Sequence, residues 1–316
     1  TAARIVDLFH KVGIPKEVLQ VLPAAGSMVG DVVVPDHRVA LVLLTGSNKT
    51  AEAINSKLSQ DHRTIIPFIA ETGGINVMVA DSSALPEQCV ADIVYSAFNS
   101  AGQRCSALRI VCVQDDIADD VIMMLQGAIA ALRVGSPFDL ASDVSSVIDQ
   151  RSYDEISSYI KELSEKFVCL AKAPLPNALK EGYFIAPHLF EVGSVQDVKR
   201  EVFGPILHLV RFQANKTDDL IDDINKLHYG LTFGIHSRID STVEYFMSRI
   251  RAGNIYVNRE ITGAVVGVQP FGDMNLSGTG PKAGGPHYLP RLCYEKTVTV
   301  NTAAVGGNAS LMVLDL

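Results

Sequence analysis

The sequence predicts an α/β protein with mostly parallel sheets, and three features of its 316 residues carry that expectation. The run "VALVLL" (39–44) is apolar at every position instead of alternating, the mark of a strand buried on both faces. Strand-like runs alternate along the chain with segments whose apolar residues recur at helical spacing, which places helices over a parallel sheet. With 47% hydrophobic and only 20% charged residues, the chain can bury a large core.

The elements follow in order. In "AARIVDLFHKVG" (2–13), Ile5, Val6, Leu8, Phe9 and Val12 fall at helical spacing. "EVLQVLP" (17–23) reads as a short strand, and "RVALVLLTGS" (38–47) as a strand ending at Gly46. "NKTAEAINSKLSQ" (48–60) reads as a helix and "TIIPFIAETGG" (64–74) as a strand. "NVMVA" (76–80) is a strand, "LPEQCVADIVYSAFNSA" (85–101) a helix, and "LRIVCVQ" (108–114) a strand. "IADDVIMMLQGAIAALRVG" (117–135) is a helix closed by Gly135. Then come a helix at "RSYDEISSYIKELSEK" (151–166), strands at "FVCLAKA" (167–173) and "GPILHLVRFQ" (204–213), and a helix at "DDLIDDINKLHYG" (218–230). "LTFGIHS" (231–237), "STVEYFMSRIRAG" (241–253) and "NIYVN" (254–258) complete the alternation as strand, helix and strand. From Arg259 onward the pattern gives way to Gly- and Pro-rich loops and a lone strand, "KTVTV" (296–300). There is no internal repeat and no low-complexity linker.

Charge and cysteine usage narrow the function classes. The formal net charge is −8, from 27 basic and 35 acidic residues, and no basic run offers a footprint for nucleic acid. No apolar run approaches the ~18–20 residues of a membrane helix, and the first residues lack a signal-peptide layout. The five cysteines are Cys89, Cys105, Cys112, Cys169 and Cys293; no pair reads C-x-x-C, and no histidines repeat at ligand spacing. A disulfide framework and a metal site are therefore not expected, and a reducing cytoplasm is. The chain opens at Thr1 within a helical pattern, and the expectation is a piece of something longer.

Several short stretches carry candidate chemistry, each with a plain alternative. "LLTGSNKTAEA" puts Gly46 and Ser47 where a strand meets a helix; free N–H groups there suit a phosphate, and a simple Ser N-cap suits the same pattern. In "IAETGGIN", Glu71 ends an apolar strand, where partial desolvation raises a carboxylate toward a useful base value; the alternative is a solvated turn. Cys105 in "SAGQRCSA" is either a small packing residue or a nucleophile acidified by backbone amides or Arg104. Glu201 and Phe203 in "REVFGPI" lie before a strand and mean little alone. The loop "TGAVVGVQPFGDMNLSGTGPKAGGP" (262–286) is long, Gly-rich and apolar, as functional loops are.

Together, "TGS", "ETGG", "GQRC", "EVFGPI" and "PFG…SG" resemble the signature segments of the aldehyde dehydrogenase superfamily, in one order across nearly the whole chain. "DSSALPEQ", "SAGQRCSALR", "GAVVGVQPFG", "LSGTGPKAGGP" and "GGNASL" bring the resemblance closer to the L-glutamate γ-semialdehyde (Δ1-pyrroline-5-carboxylate) dehydrogenases, in the form of the C-terminal module of bifunctional bacterial proline-utilisation flavoproteins. The resemblance implies NAD-dependent oxidation of that semialdehyde to L-glutamate. Cys105 would form a thiohemiacetal and then a thioester, and Glu71 would activate the hydrolytic water. It implies Gly46 and Ser47 near the cofactor pyrophosphate, Glu201 near the nicotinamide ribose and Phe203 near the nicotinamide. Ser106, Gly263 and Ala264 would hold the substrate carboxylate, and Phe271 would pack on its aliphatic part.

The same resemblance implies residues 1–70 as the second half of a Rossmann-like NAD-binding domain and 71–258 as a complete catalytic domain. Residues 259–290 would form the substrate loop and the return to the cofactor side, and 291–316 an oligomerisation strand and C-terminal tail. A homo-oligomer would assemble through 297–300 by edge pairing. FAD belongs only to an upstream proline dehydrogenase domain, and the parent is a bacterial cytoplasmic protein with peripheral membrane association open to it. The family's oxyanion Asn and NAD-contacting Lys have no counterpart in these residues, so this chain alone is expected to be nearly inactive. Asp273 stands where the family has a glycine, an expected change in the substrate loop. Two rival readings are a dehydrogenase for another aldehyde and a non-catalytic assembly piece.

Overall fold

The structure is a computed structural model that describes residues 1–60, 65–179, 181–265, 267–272 and 274–301. Its first unit opens with helix α1 (Ala2–Lys11), a short α2 (Gly26–Met28) and a wider π-helical turn over Val29–Val33. Strand β1 (Val42–Thr45), helix α3 (Asn48–Gln60) and strand β2 (Phe68–Glu71) follow. β1 and β2 are parallel, with Thr45 opposite Glu71. α1 is amphipathic, yet none of its residues is buried.

The second unit is a seven-stranded sheet. Its strands are β3 (Asn76–Ala80), β4 (Leu108–Gln114), β5 (Val168–Lys172), β6 (His188–Glu191), β7 (Ile206–Phe212), β8 (Thr232–His236) and β9 (Asn254–Val257). They lie in the order β5-β6-β7-β4-β3-β8-β9. Every pairing is parallel except that of the edge strand β5 with β6. Helices α4 (Pro86–Phe98), α5 (Asp115–Ala131) and α6 (Gln150–Lys166) cover one face, and α7 (Thr217–Asn225) and α8 (Asp240–Arg249) the other. A short α9 (Tyr288–Arg291) lies near the end of the described chain.

The central strands are buried along their whole length, which is why their sequences carry no polar alternation. Alternation survives in the direction of the side chains. From Ile110 to Val113 of β4, Val111 and Val113 join the core under α4–α6, whereas Ile110 and Cys112 join the core under α7 and α8; Leu108 joins the first of these because a register irregularity that skips Arg109 interrupts the alternation. Cys89 and Cys112 are wholly buried, and desolvation holds both thiols well above their ordinary value, Cys89 up to about 12. Both pack in the core. Local signals set the helix starts: Pro86 occupies the first turn of α4, and Asp149 caps α6 by accepting from the Ser152 N–H at 2.8 Å.

The structure departs from the sequence reading at several places; β2, for one, spans only Phe68–Glu71 of the expected 64–74 run. Residues 17–23 form a turn and irregular chain, not a strand, because no sheet edge lies beside them to pair with. β1 spans only the middle of the expected 38–47 run. α5 ends at Ala131, where Leu132 turns extended, before Gly135 is reached. β6 is an additional strand, paired between β5 and β7. Residues 296–300 form no strand; Val298 and Val300 are exposed, and no described sheet edge pairs with them. Asp273 and the tail 302–316, which includes "GGNASL", lie outside the described residues.

Candidate active site

The two sheets meet end to end. The C-terminal ends of β1 and β2 face the N-terminal ends of the large sheet, where Asn76, Leu108, Ile206, Thr232 and Asn254 are the first residues of β3, β4, β7, β8 and β9. Thr72 N–H donates to Ser277 O at 2.9 Å and Thr279 N–H to Ala70 O at 2.9 Å, stitching the returning chain along β2. Glu71, at the end of β2, and Cys105 and Glu201, on two separate loops, are brought together here.

Cys105 follows an unusual turn. Ser100, Ala101 and Gly102 are consecutive left-handed residues, with φ of 57°, 54° and 66°. For L-residues that conformation costs roughly 1–2 kcal/mol each, and such strain gathers at functional sites. Gly102 has no alternative: besides its φ, a Cβ there would lie 2.2 Å from the carbonyl oxygen of Gly204. Side chains clamp the turn from outside. Gln103 Nε2 donates to Ser100 O at 3.1 Å, and Gln103 Oε1 accepts from the Ile148 N–H at 2.8 Å. Asn76 Nδ2 donates to the carbonyls of Cys105 at 2.7 Å and Ala107 at 2.9 Å, while its Oδ1 accepts from the Thr232 N–H at 3.1 Å.

The Cys105 thiol is half-buried. Burial, then the negative charge of Glu201 and, less strongly, of Glu71, raise it above its ordinary value. The backbone N–H groups of Ser106 and Cys105 pull the other way without overcoming this. The acidification expected from the sequence is thus reversed, because the turn sinks the sulfur between two carboxylates. Arg104 is engaged elsewhere, its Nε donating to Ser100 Oγ at 3.0 Å.

Glu71 ends β2, and both of its carboxylate oxygens are shielded from solvent. It is not the solvated turn residue of the plain alternative. Gly272, at φ 136°, passes so close that a Cβ there would lie 2.5 Å from Glu71 Oε1. Glu201 is also buried: its Oε1 accepts from the Gly74 N–H at 3.0 Å and lies 3.7 Å from Arg109 Nη2. Desolvation raises its carboxyl above the usual range, and Arg109 and the Gly74 N–H oppose that rise. Phe203 keeps 43% of its surface exposed, with the Arg109 guanidinium 5.2 Å from its ring centroid.

Gly46 and Ser47 sit at the end of β1, and the Gly46 N–H donates to Glu71 O at 3.1 Å. Ser47 also fulfils the N-cap reading, its Oγ accepting from the Thr50 N–H at 3.2 Å. Ser106 is buried directly behind Cys105. In the loop after β9, Gly263 has φ 126° and its carbonyl accepts from Tyr256 Oη at 3.1 Å, while Ala264 is exposed. Phe271 exchanges backbone hydrogen bonds with Ala283, at 3.0 and 2.7 Å.

Two residues of this site were not singled out by the sequence reading. Asn76 was taken as the first residue of a strand, and Arg109 as one residue of an apolar run. A lone Arg inside "LRIVCVQ" was the available signal, since a buried charge requires partners. Among the described residues, no group of three His, Cys, Asp or Glu side chains is placed to hold a metal ion, and no helix is long and apolar enough to cross a membrane.

Comparison with known proteins gives three kinds of match. The family model described as "Aldehyde dehydrogenase family" matches residues 1–298. Bifunctional protein PutA of Klebsiella aerogenes is 46% identical over 300 residues, covering 92% of this chain and 23% of that protein. A crystal structure of a Bradyrhizobium japonicum proline utilization A (PutA) variant superposes with a TM-score of 0.92 at 48% identity, covering 96% of this chain and 31% of that one. A Thermus 1-pyrroline-5-carboxylate dehydrogenase with bound NAD superposes with a TM-score of 0.83 at 29% identity, covering 92% of this chain and 56% of that one. The chain thus spans under a quarter of the curated PutA relative and just over half of the dehydrogenase.

Proposed function

Because the chain belongs to the aldehyde dehydrogenase family, we propose that the natural protein containing it oxidises L-glutamate γ-semialdehyde to L-glutamate with NAD⁺, through a covalent Cys105 adduct. The observation that carries this reading is the half-buried Cys105 thiol on its left-handed turn, within electrostatic reach of the shielded Glu71 and the Arg109-paired Glu201. The names of the relatives, PutA and 1-pyrroline-5-carboxylate dehydrogenase, support the substrate class and a role in proline utilisation.

The residues divide the work. Cys105 Sγ bonds to the aldehyde carbon while the thiol proton passes, through water, to the carbonyl oxygen, giving a thiohemiacetal whose hydroxyl proton returns to water when the carbon loses its hydride. The backbone N–H groups beside the sulfur are the donors available to the charge that develops there. Loss of hydride from that carbon, with its electron pair, leaves a thioester. Glu71, shielded from solvent, takes a proton from the water that attacks the thioester, and the C–S bond breaks, returning the sulfur to Cys105 and releasing the carboxylate. The N–H groups of the Gly263–Ala264 loop and the Ser106 hydroxyl are proposed to hold the substrate's α-carboxylate, with Phe271 against its methylenes.

A dinucleotide fits the remaining features. Gly46 and Ser47 form an open turn at the end of a parallel strand, one hydrogen bond from Glu71, and Phe203 offers an exposed ring face beside the Cys105 loop. When bound, NAD⁺ supplies the hydride acceptor. A flavin-dependent second activity, oligomerisation through 297–300 and a cytoplasmic location belong to the same proposal for the natural protein. The test is NADH formation at 340 nm by that protein. Glutamate semialdehyde is expected to be turned over at least about 100-fold more efficiently than propanal, because a site built for a carboxylate is left with unpaired donors by an aldehyde lacking one. Cys105→Ala abolishes turnover. Equal efficiency on propanal overturns the substrate assignment, and an active Cys105→Ala overturns the mechanism.

A further inference from the structure

We propose that Arg109 is a positioning residue whose guanidinium locks the left-handed turn carrying Cys105 to the Glu201–Gly204 segment, so that the nucleophile and Glu201 are held as one unit. The proposal rests on Cys105 being the nucleophile of the reaction above.

Arg109 is the second residue of the buried strand β4 and is only 2% exposed. Its fork reaches three carbonyls on two segments. Nη1 donates to Gly102 O at 2.8 Å and Gly204 O at 3.2 Å, and Nη2 donates to Arg104 O at 3.1 Å. The same Nη2 lies 3.7 Å from Glu201 Oε1, and the cation sits 5.2 Å from the centroid of the Phe203 ring. One side chain therefore touches two residues of the turn that leads into Cys105, Gly102 and Arg104, and three positions of the "EVFG" segment. No other described side chain bonds both segments.

The backbone of Arg109 is fixed from behind. Its carbonyl can only accept, so the His208 Nδ1 that faces it at 2.8 Å carries the hydrogen. His208 Nε2 is then an acceptor for Tyr159 Oη at 3.0 Å. Burial holds His208 down at about 4, which keeps this neutral tautomer in place at neutral pH. The chain of contacts runs from α6 through β7 into β4 and out to the catalytic turn.

Packing does not account for the residue. A buried guanidinium carries a desolvation cost that an apolar side chain of similar volume avoids, and Arg109 Nε is buried without a hydrogen-bond partner. What the cation supplies is a planar fork that bonds the carbonyl of the left-handed Gly102 together with those of Arg104 and Gly204, and a positive charge against Glu201 and the sulfur.

The test uses the complete natural protein with Arg109→Met and Arg109→Lys. Alkylation of Cys105 by iodoacetamide is followed from pH 6 to 10, without cofactor or aldehyde, by mass spectrometry of the Cys105 peptide, because Cys169 and Cys293 are also exposed. Loss of the cation moves the alkylation midpoint of Arg109→Met upward. Its kcat falls by about 10- to 100-fold, the range of a lost charge-assisted hydrogen bond. Arg109→Lys keeps the charge but not the fork, so its midpoint stays near wild type while kcat still falls by about tenfold or more. A folded Arg109→Met with wild-type midpoint and kcat overturns the proposal. If that variant does not fold, a folded Arg109→Lys with wild-type kcat overturns it equally. If the wild-type protein oxidises no aldehyde, the function proposed above falls, and the alkylation profiles alone decide the role of Arg109.

Discussion

Glu201 is the residue whose surroundings reverse a simple expectation. A glutamate ahead of a strand is ordinarily solvated; this one is buried, bonded to the Gly74 N–H and paired with Arg109. Its charge is, after burial, the largest influence raising the Cys105 thiol. Glu201→Gln removes that like charge and leaves the Arg109 cation uncompensated, and both changes favour the thiolate. The alkylation midpoint of Cys105 is therefore expected to fall in Glu201→Gln, measured by the rate of iodoacetamide incorporation against pH. A midpoint that stays or rises means that Glu201 does not face the sulfur. At this scale the sequence was legible wherever chemistry sits in a glycine-flanked loop, as at Glu71, Cys105 and Gly46. It was opaque for Asn76 and Arg109, whose partners are backbone carbonyls brought near only by the fold.

The turn of Asn99–Gly102 is the element on which the site hangs, and its neighbouring residues respond unequally to substitution. Ala101 is wholly buried at φ 54°, so Ala101→Gly relieves a left-handed strain of about 1–2 kcal/mol. It also forfeits a buried methyl and gives the unfolded chain more freedom, together a loss of similar size. The net change in stability is expected to lie within about 1 kcal/mol of zero by this reckoning. Gly102→Ala adds a Cβ 2.2 Å from the Gly204 carbonyl at φ 66°, which strain and overpacking together make destabilising by about 2–5 kcal/mol. Urea unfolding of the two variants measures both values, and equal effects would show that the turn is not strained. The other elements divide by length and context. The long buried strands and the helices were legible from apolar continuity and period. β6 was not, being four residues that include a His and a Glu behind Pro187. Residues 17–23 have a strand's composition but no edge to pair with, and "KTVTV" shares that difficulty within this chain.

At the scale of the molecule, the crevice gathers loops from five strands of one sheet and two of another, an arrangement no single stretch of sequence encodes. The large sheet presents the N-terminal ends of its strands to the site, whereas in open α/β sheets ligands ordinarily meet the C-terminal ends; here β1 and β2 supply those. Holding such a sheet together buries polar groups, and three histidines report on it. His188, His208 and His236 lie within β6, β7 and β8, and burial holds each down at about 4, from an ordinary 6.5. The folded-state value lies below the unfolded one, so the contribution of each is full above about pH 6.5 and is lost as the pH falls toward 4. In that window the unfolded chain binds protons that the folded chain refuses, at about 1.4 kcal/mol per proton per pH unit. Asp92 and Glu201, whose carboxyls are held above their usual range, act in the opposite sense at the acid end and flatten the fall there. Urea midpoints measured from pH 7.5 to 4 are therefore expected to fall as the pH drops below about 6.5, the histidines steepening the fall and the two raised carboxyls opposing it. His208→Gln keeps an amide donor for the Arg109 carbonyl and removes one titrating group, so its profile should be shallower than wild type by close to one proton. A profile flat over this window, or one that His208→Gln leaves unchanged, would mean that these imidazoles are not held neutral by the fold, and that the path from Tyr159 through His208 to the catalytic turn is looser than its hydrogen bonds imply.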